Sequence, residues 1–369
     1  MTLIFLTASS QGVHCQRGDF QLYPGNLKPG GREQLMSDII LLSHGDGGAL
    51  THKLIDELFL KYFYNEHLTP LTDAVNLGGS SRETVISTDS FVVSPIFFPG
   101  GDIGRLAVCG TVNDIAVCGA QPRYLTAAFI LEEGLAYTEL EKVVSSMASA
   151  AEEAGVYIVA GDTKVVERGH GDKIFINTSG IGYLLPGVDL GCHALADGDR
   201  IVISGTVGDH GLTVLTGRQN LGIEGDFASD SAPLNGIIER TLKNFNGVKI
   251  MRDPTRGGLA TTLKEIAGRT NFDFIISEED IPVQDSVRSA ADMLGLDPLY
   301  LANEGKFMAV VEADQVEDLV HFLRGDPLGR EAKIIGGIKK GKGEVYLQTF
   351  FGGRKPLQYL AGAPLPRIC

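Results

Sequence analysis

Apolar positions along the chain alternate between short β-like runs and repeats at helical spacing. The apolar run 39–42 leads into Ser43-His44-Gly45-Asp46-Gly47-Gly48, after which Leu50, Leu54, Ile55, Leu58 and Phe59 recur at helical spacing, predicting a glycine loop that opens a helix. Residues 84–95 are β-rich. A small-residue helix is expected over 102–118, a strand over 124–131, a helix over 138–153 stopped by Gly155, and strands at 156–160 and within 174–185. The first domain then closes near Ala196.

A second series starts with the strand pattern at 200–204. It continues through a loop Gly208-Asp209-His210-Gly211, a helix near 235–242, and the loop Arg252-Asp253-Pro254-Thr255-Arg256-Gly257-Gly258, which opens another helix. Further strand and helix signals occupy 274–281, 287–294, 308–311 and 315–323. Periodicity fades after Gly352-Gly353, and Pro364 and Pro366 bias the remainder toward extended backbone. The expected organisation is an extension over 1–36, α/β domains over 37–196 and 197–350, and a flexible C-terminal tail over 351–369. Two cores suit 369 residues, because single cores stop growing at about 250–300 residues.

Charge narrows the function. Acidic residues outnumber basic ones 46 to 32, for a net charge of -14, and no Lys/Arg stripe offsets phosphate repulsion, which speaks against nucleic acid. No apolar run reaches the length of about 18 residues that a membrane helix needs. Leu3-Ile4-Phe5-Leu6 is too short for a secretory signal and has no basic leader. A cytoplasmic protein without a membrane partner is expected. The five cysteines, Cys15, Cys109, Cys118, Cys192 and Cys369, form no Cys-x-x-Cys pair, so neither a disulfide framework nor structural zinc is indicated. Cys109 and Cys118 are expected as buried packing residues. Cys369 differs: a Pro-rich arm cannot bury a thiol, and Arg367 favours its thiolate. A thiol on such an arm reads as a carrier, loaded at one place and processed at another.

Neither a P-loop nor a strand-linked Gly-x-Gly-x-x-Gly is present, so any nucleotide site is built otherwise. The residues available are Asp73, Asp89, Asn113-Asp114, Gly161-Asp162-Thr163-Lys164 and Asp253, each at an element end or inside an apolar segment. Asp73 and Asp162 also suit a cap or turn. Asn113-Asp114 is flanked by Val108, Val112, Ile115 and Val117, where an ionised carboxylate is costly unless a cation or hydrogen bonds meet it, or the pair lies on the helix's one wet face. The loop with Gly47 and Gly48 can offer backbone N–H groups to phosphate, although Asp46 opposes that. His44 and His210 read as hydrogen-bonded loop residues.

Taken together, these motifs resemble a family. They are His44-Gly45-Asp46-Gly47-Gly48, Ser87-Thr88-Asp89-Ser90-Phe91-Val92-Val93, Phe97-Phe98-Pro99-Gly100-Gly101-Asp102-Ile103-Gly104, Gly110-Thr111-Val112-Asn113-Asp114, Gly161-Asp162-Thr163-Lys164, Arg252-Asp253-Pro254-Thr255-Arg256-Gly257-Gly258, Ala302-Asn303-Glu304-Gly305 and the Pro366-Arg367-Ile368-Cys369 ending. From about Ser37 to Cys369 the chain resembles the HypE family of hydrogenase-maturation proteins. That family lies in the superfamily of aminoimidazole ribonucleotide synthetase (PurM-like), selenophosphate synthetase and thiamine-monophosphate kinase.

The resemblance implies a two-domain PurM-like architecture. An N-terminal α/β domain pairs its sheet across a homodimer, a C-terminal α/β domain follows, and Mg2+ and ATP bind between them. It further implies carbamoyl dehydratase activity. HypF carbamoyltransferase loads the Cys369 sulfur with a carbamoyl group, ATP drives its dehydration to a thiocyanate, and a HypC–HypD complex accepts the cyano group as an iron ligand of the [NiFe]-hydrogenase. Carried over by position, Asp73, Asp89, Asp114 and Asp253 hold the metal. Asp89, Asn113, Asp114, Asp162, Gly47 and Gly48 bind the nucleotide, and Lys164 and Glu304 act with Cys369, orienting the carbamoyl group and moving its protons. Residues 1–36 have no counterpart in the pattern, and Asp46 stands where a small residue is expected. The competing readings are a free-substrate relative of the selenophosphate synthetase kind and a non-catalytic carrier or scaffold.

Overall fold

The first sheet has four strands, in the order β1-β6-β4-β5. In the computed structural model the described residues are 39–41, 54–65, 83–218, 225–359 and 367–368. Expectations on residues 1–36 and on the glycine loop 43–48 lie outside them. A π-helical turn, Ile55–Phe59, runs into helix α1 (Leu60–Phe63), and Leu54, Leu58 and Phe63 bury their side chains. Strand β1 is Thr84–Phe91, and the short pair β2 (Phe97–Phe98) and β3 (Gly101–Asp102) precedes helix α2 (Ile103–Val117). Then come β4 (Ala120–Glu132), α3 (Tyr137–Ala154), β5 (Tyr157–Val166) and β6 (Ile174–Leu184). Among the described strands of this sheet, only β4 and β5 pair in parallel.

Alternation decides which face is covered. Leu125, Ala127, Phe129 and Leu131 of β4, with Ile174 and Ile176 of β6, enter the buried cluster formed with α2 and α3. The opposite face carries exposed Ile86, Ile130 and Tyr157. Asp102 starts α2 by accepting the backbone N–H groups of Gly104 (2.7 Å) and Arg105 (3.0 Å), two of the donors a first turn leaves free. The small residues of α2 let it approach the sheet closely. A Cβ at Gly110 would lie 2.9 Å from the Phe91 ring and 3.5 Å from an Asp89 carboxylate oxygen.

Two boundaries differ from expectation. Strand β4 begins before Tyr124 and passes through Pro122, where the pairing with β6 shifts register and the missing N–H is tolerated. Strand β5 runs on to Val166, because its pairing with β4 extends to Glu132↔Val166. Gly161-Asp162-Thr163-Lys164 therefore lie inside a strand rather than at its end.

The second sheet has seven strands, in the order β13-β12-β9-β11-β7-β10-β8. Its elements are β7 (Arg200–Ile203), α4 (Asp209–Arg218), α5 (Asn235–Asn244), β8 (Val248–Arg252), α6 (Gly258–Ala267), β9 (Phe272–Ser277), α7 (Asp285–Leu294), β10 (Met308–Val311), α8 (Val316–Arg324), β11 (Lys333–Lys340), β12 (Val345–Gln348) and β13 (Arg354–Pro356). Both faces are buried. Ile201 and Ile203 of β7 pack into a cluster with Leu259 and Leu263 of α6, whereas Val202 between them joins Ile237 of α5 and Leu319 of α8. Helix α4 occupies what reads as a loop at 208–211. Its start is fixed by the Thr206 hydroxyl donating to Asp209 and by the Gly208 N–H donating to Asn303 Oδ1 at 2.7 Å.

The tail expected from residue 351 is corrected in part. Residues 354–356 add β13 to the sheet edge, Leu357 donates its N–H to the Val345 carbonyl at 2.8 Å, and its side chain is buried. Ile368 is buried too, in the first domain's cluster with Val93, Ile96 and Val214. At the other end of the junction, Ala116 and Val117 of α2 join the second domain's core.

Candidate active site

Three of the expected acidic residues meet where β1, α2 and the end of β8 come together. Asp89 follows the alternation of β1 onto the face beneath α2, opposite Thr178 of β6. Its Oδ1 accepts the Ser90 N–H (3.0 Å) and Arg256 Nη2 (3.1 Å). Asp114, in α2, accepts the Ser87 hydroxyl at 2.7 Å. Burial pushes both carboxyls above their ordinary range, and for Asp89 the Asp114 charge adds to it. Asp253, just after β8, is pushed up to about 7 by burial and then by the Asp114 charge. Three carboxyls raised by burial and, at Asp89 and Asp253, by a neighbouring carboxylate, with Arg252 and Arg256 as partial counter-charge, form a place that a cation stabilises.

Glu304 approaches from the second domain. Asp230 fixes its main chain, accepting the N–H groups of Glu304 (3.0 Å) and Gly305 (3.2 Å) as well as Lys306 Nζ (3.3 Å). The Glu304 side chain is buried and its Oε1 has no partner among the described residues. Its proton affinity stands well above the ordinary range, first through burial and then through the charges of Asp230, Asp253, Asp89 and Asp114. These groups therefore share one electrostatic neighbourhood.

The chain's last described residues reach the same junction. His210 of α4 is fully buried, with Nδ1 2.8 Å from Ser229 Oγ and Nε2 2.9 Å from the Ile368 carbonyl. Arg367 donates Nε to the Val92 carbonyl (3.1 Å), pairs with Asp172, and accepts the Ser94 N–H on its own carbonyl (3.3 Å). The Asp230 charge acts on both His210 and Glu304.

Residues 72–184 match the family model described as AIR synthase related protein, N-terminal domain, and residues 196–348 match the corresponding C-terminal domain. The chain is 47% identical to the carbamoyl dehydratase HypE of Azotobacter vinelandii over 92% of its own length and 99% of that protein. The chain belongs to the HypE family of carbamoyl dehydratases. A crystal structure of a HypE in complex with ATP is 49% identical and superposes with a TM-score of 0.86, covering 89% of this chain and 99% of that one. A HypE from a HypE-HypF complex is 48% identical with a TM-score of 0.73, over 85% and 100% of the two chains.

Not every residue carried over from the HypE pattern gathers at this junction. Asn113, expected at the nucleotide, serves as an interdomain pin. Its Nδ2 donates to the carbonyls of Ala232 (3.0 Å) and Glu304 (3.3 Å), and its Oδ1 accepts the Leu234 N–H at 2.7 Å. Buried and committed to main chain, it has no side-chain N–H left for a ligand. Asp162 and Lys164 pair with each other at 2.8 Å and are each 64% exposed. In the β4–β5 register Lys164 lies opposite exposed Ile130, so both sit on the sheet face away from Asp89. The single chain does not bring Lys164 to Glu304. Gly47, Gly48, Asp73 and Cys369 lie outside the described residues.

HypE-like sequence motifs also left residues unread. Ser87, Arg256, Asp230, Lys306 and Ser229 hold the site residues in place, yet only the first two fall in quoted motifs, and as neighbours rather than as site residues. Asp230 carries no spacing signal, since its role depends on a contact 74 positions away. Cys109 is buried as expected and its thiol is pushed up to about 12 by that burial. Cys118 is exposed, because it caps the C-terminal end of α2.

Proposed function

We propose that the chain, a cytoplasmic homodimer, carries a carbamoyl group on Cys369 and dehydrates it to a thiocyanate in an ATP-dependent reaction. HypF loads the thiol, and a HypC–HypD complex takes the cyano group for the iron of a [NiFe]-hydrogenase. The observation that carries the reading is the convergence of Asp89, Asp114, Asp253 and Glu304 on the junction where Ile368 is buried. The free-substrate alternative leaves that docked end of the chain without a purpose.

The residues present fit Mg2+. The donors are carboxylate oxygens raised by burial and, at Asp89 and Asp253, by a neighbouring carboxylate, and Mg2+ takes such ligands one or two at a time together with phosphate oxygens. That suits a site where, among the described residues, no three His, Cys, Asp or Glu side chains converge on a single ion position. We assign Asp89, Asp114 and Asp253, with Asp73 as the fourth by position, to the metal ions that accompany ATP, one or two carboxylates to each ion. Bound Mg-ATP supplies a phosphoryl group that turns the carboxamide oxygen into a leaving group.

The chain's own residues do the rest. Arg256, beside Asp89, adds positive charge at the same place. Glu304, with its raised proton affinity and a buried oxygen that has no partner among the described residues, accepts one of the two protons that leave the carboxamide nitrogen, and the departing phosphate carries the other. Asp162 and Lys164 stand on the open sheet face, where a second copy pairs, and serve the reaction from that side.

The test is mass spectrometry of the C-terminal peptide after incubation with HypF, carbamoyl phosphate and ATP. A carbamoyl adduct on Cys369 that loses one water only when Mg-ATP is supplied supports the reading. An unmodified Cys369 alongside continued ATP consumption overturns it.

A further inference from the structure

His210 takes no part in the chemistry described so far, yet it is fully buried and both ring nitrogens are committed. The carbonyl it meets belongs to the peptide bond joining Ile368 to Cys369. A carbonyl oxygen only accepts, so Nε2 carries the proton at 2.9 Å and Nδ1, in the neutral ring, accepts from the Ser229 hydroxyl at 2.8 Å. Ser229 Oγ in turn accepts the Ser231 N–H at 3.2 Å. Each group is thereby satisfied in one direction only, which fixes the tautomer. Burial lowers the proton affinity of the ring and keeps it neutral.

The support for this chain of bonds comes from the first domain. Ser229 donates its N–H to the Pro99 carbonyl at 2.8 Å, and Phe98 packs edge-on against the His210 ring with centroids 5.5 Å apart. Gly100, at φ +85°, allows the approach, since a Cβ there would stand 2.5 Å from the Ser229 carbonyl oxygen. The Phe97-Phe98-Pro99-Gly100-Gly101 motif thus acts at a distance: it sets Ser229, which sets the His210 tautomer, which grips the end of the chain.

We propose that His210 is a positioning residue for the carbamoyl-bearing tail, holding the Ile368–Cys369 peptide bond while the dehydration proceeds. Arg367 fixes the preceding residue through Val92, Ser94 and Asp172, so the two contacts together define where the next residue begins. His210 touches no reacting atom. Its effect falls on the ATP-dependent step alone, because loading by HypF needs the tail to be reached by another protein. The inference rests on the reading of Cys369 as the carrier.

The experiment uses full-length His210→Leu, His210→Gln and Ser229→Ala proteins with two readouts. One is the ATP-dependent loss of water from the Cys369 adduct; the other is trimming of the last two residues by a carboxypeptidase, followed by intact mass. Losing a hydrogen bond to a buried carbonyl predicts water loss about tenfold slower and trimming about tenfold faster in His210→Leu. Adduct formation stays within about twofold of the parent, and His210→Gln, which retains a donor, recovers most of both. A folded His210→Leu protein whose trimming matches the parent overturns the proposal, whatever its turnover, as does a folded His210→Gln no better than His210→Leu. If His210→Leu does not fold, Ser229→Ala decides: it frees the ring to take the other tautomer, and trimming about threefold faster is expected, whereas unchanged trimming overturns the idea. A parent protein that never loses water from the adduct refutes the carrier reading instead, and trimming still reports on His210.

Discussion

At the scale of single residues, Asp253 makes folding sensitive to pH. Its carboxyl moves from 3.8 to about 7 on folding, so between those values the folded chain holds a proton that the unfolded chain has released. Stability from this group is complete below about 3.8, declines as pH rises, and is gone above about 7. The slope for one such proton reaches at most about 1.4 kcal/mol per pH unit. Thermal midpoints without nucleotide should therefore fall between pH 5 and 8, and Asp253→Asn should flatten that fall; an equally steep profile in the variant would exclude Asp253 as its source. Mg-ATP should stabilise more at pH 8 than at pH 5, since the cation takes the place of the proton. Asp114→Asn keeps the shape and removes the charge, and should lower ATP-dependent turnover by about 100-fold or more, as expected for a group that stabilises developing charge. Steady-state kinetics at saturating ATP checks this, and a loss below about threefold would remove Asp114 from the metal set.

At the scale of elements, α2 does most of the positioning. Its expected span, 102–118, encloses the observed Ile103–Val117, because small residues, an Asp cap and flanking valines are all local signals. What it touches was not local. Asn113 enters the nucleotide set through the family resemblance alone, and its pinning role had no local signal, since its partners, Ala232, Leu234 and Glu304, lie more than a hundred residues along the chain. Strand β8 was missed for a related reason, since its five residues mix Lys249 and Arg252 with buried Val248, Ile250 and Met251. Asn113→Ala should cost about 3 kcal/mol by removing three buried hydrogen bonds and orphaning the Leu234 N–H, measured by denaturant unfolding. A cost under about 1 kcal/mol would mean the pin is dispensable. Gly110→Val should push Phe91 and Asp89 away from α2, destabilising the fold by about 1–3 kcal/mol and weakening nucleotide binding in calorimetry. Binding at parental affinity would show that β1 can give way.

At the scale of the whole molecule, the two domains share the site and interlock at its edge, where Ala116 and Val117 enter the second domain's core and Val214 enters the first's. The uncovered face of the first sheet, with Ile86, Ile130 and Tyr157 exposed, is the face on which we propose that a second copy pairs. Ile86→Glu should yield monomers in sedimentation, because desolvating an unpaired carboxylate in an apolar contact is costly; persistent dimers would move the interface elsewhere. The burial of Ile368 and the grip on its carbonyl make the end of the chain a ligand tethered to its own receptor. Covalent attachment raises the effective concentration of such a ligand, so the His210 bond, the Arg367 contacts and one buried isoleucine hold it with less intrinsic affinity than a free ligand would need. Weak intrinsic affinity also means short dwell times. The same terminus can then be surrendered to another protein without unfolding anything, whereas a detached peptide of that sequence would compete only weakly.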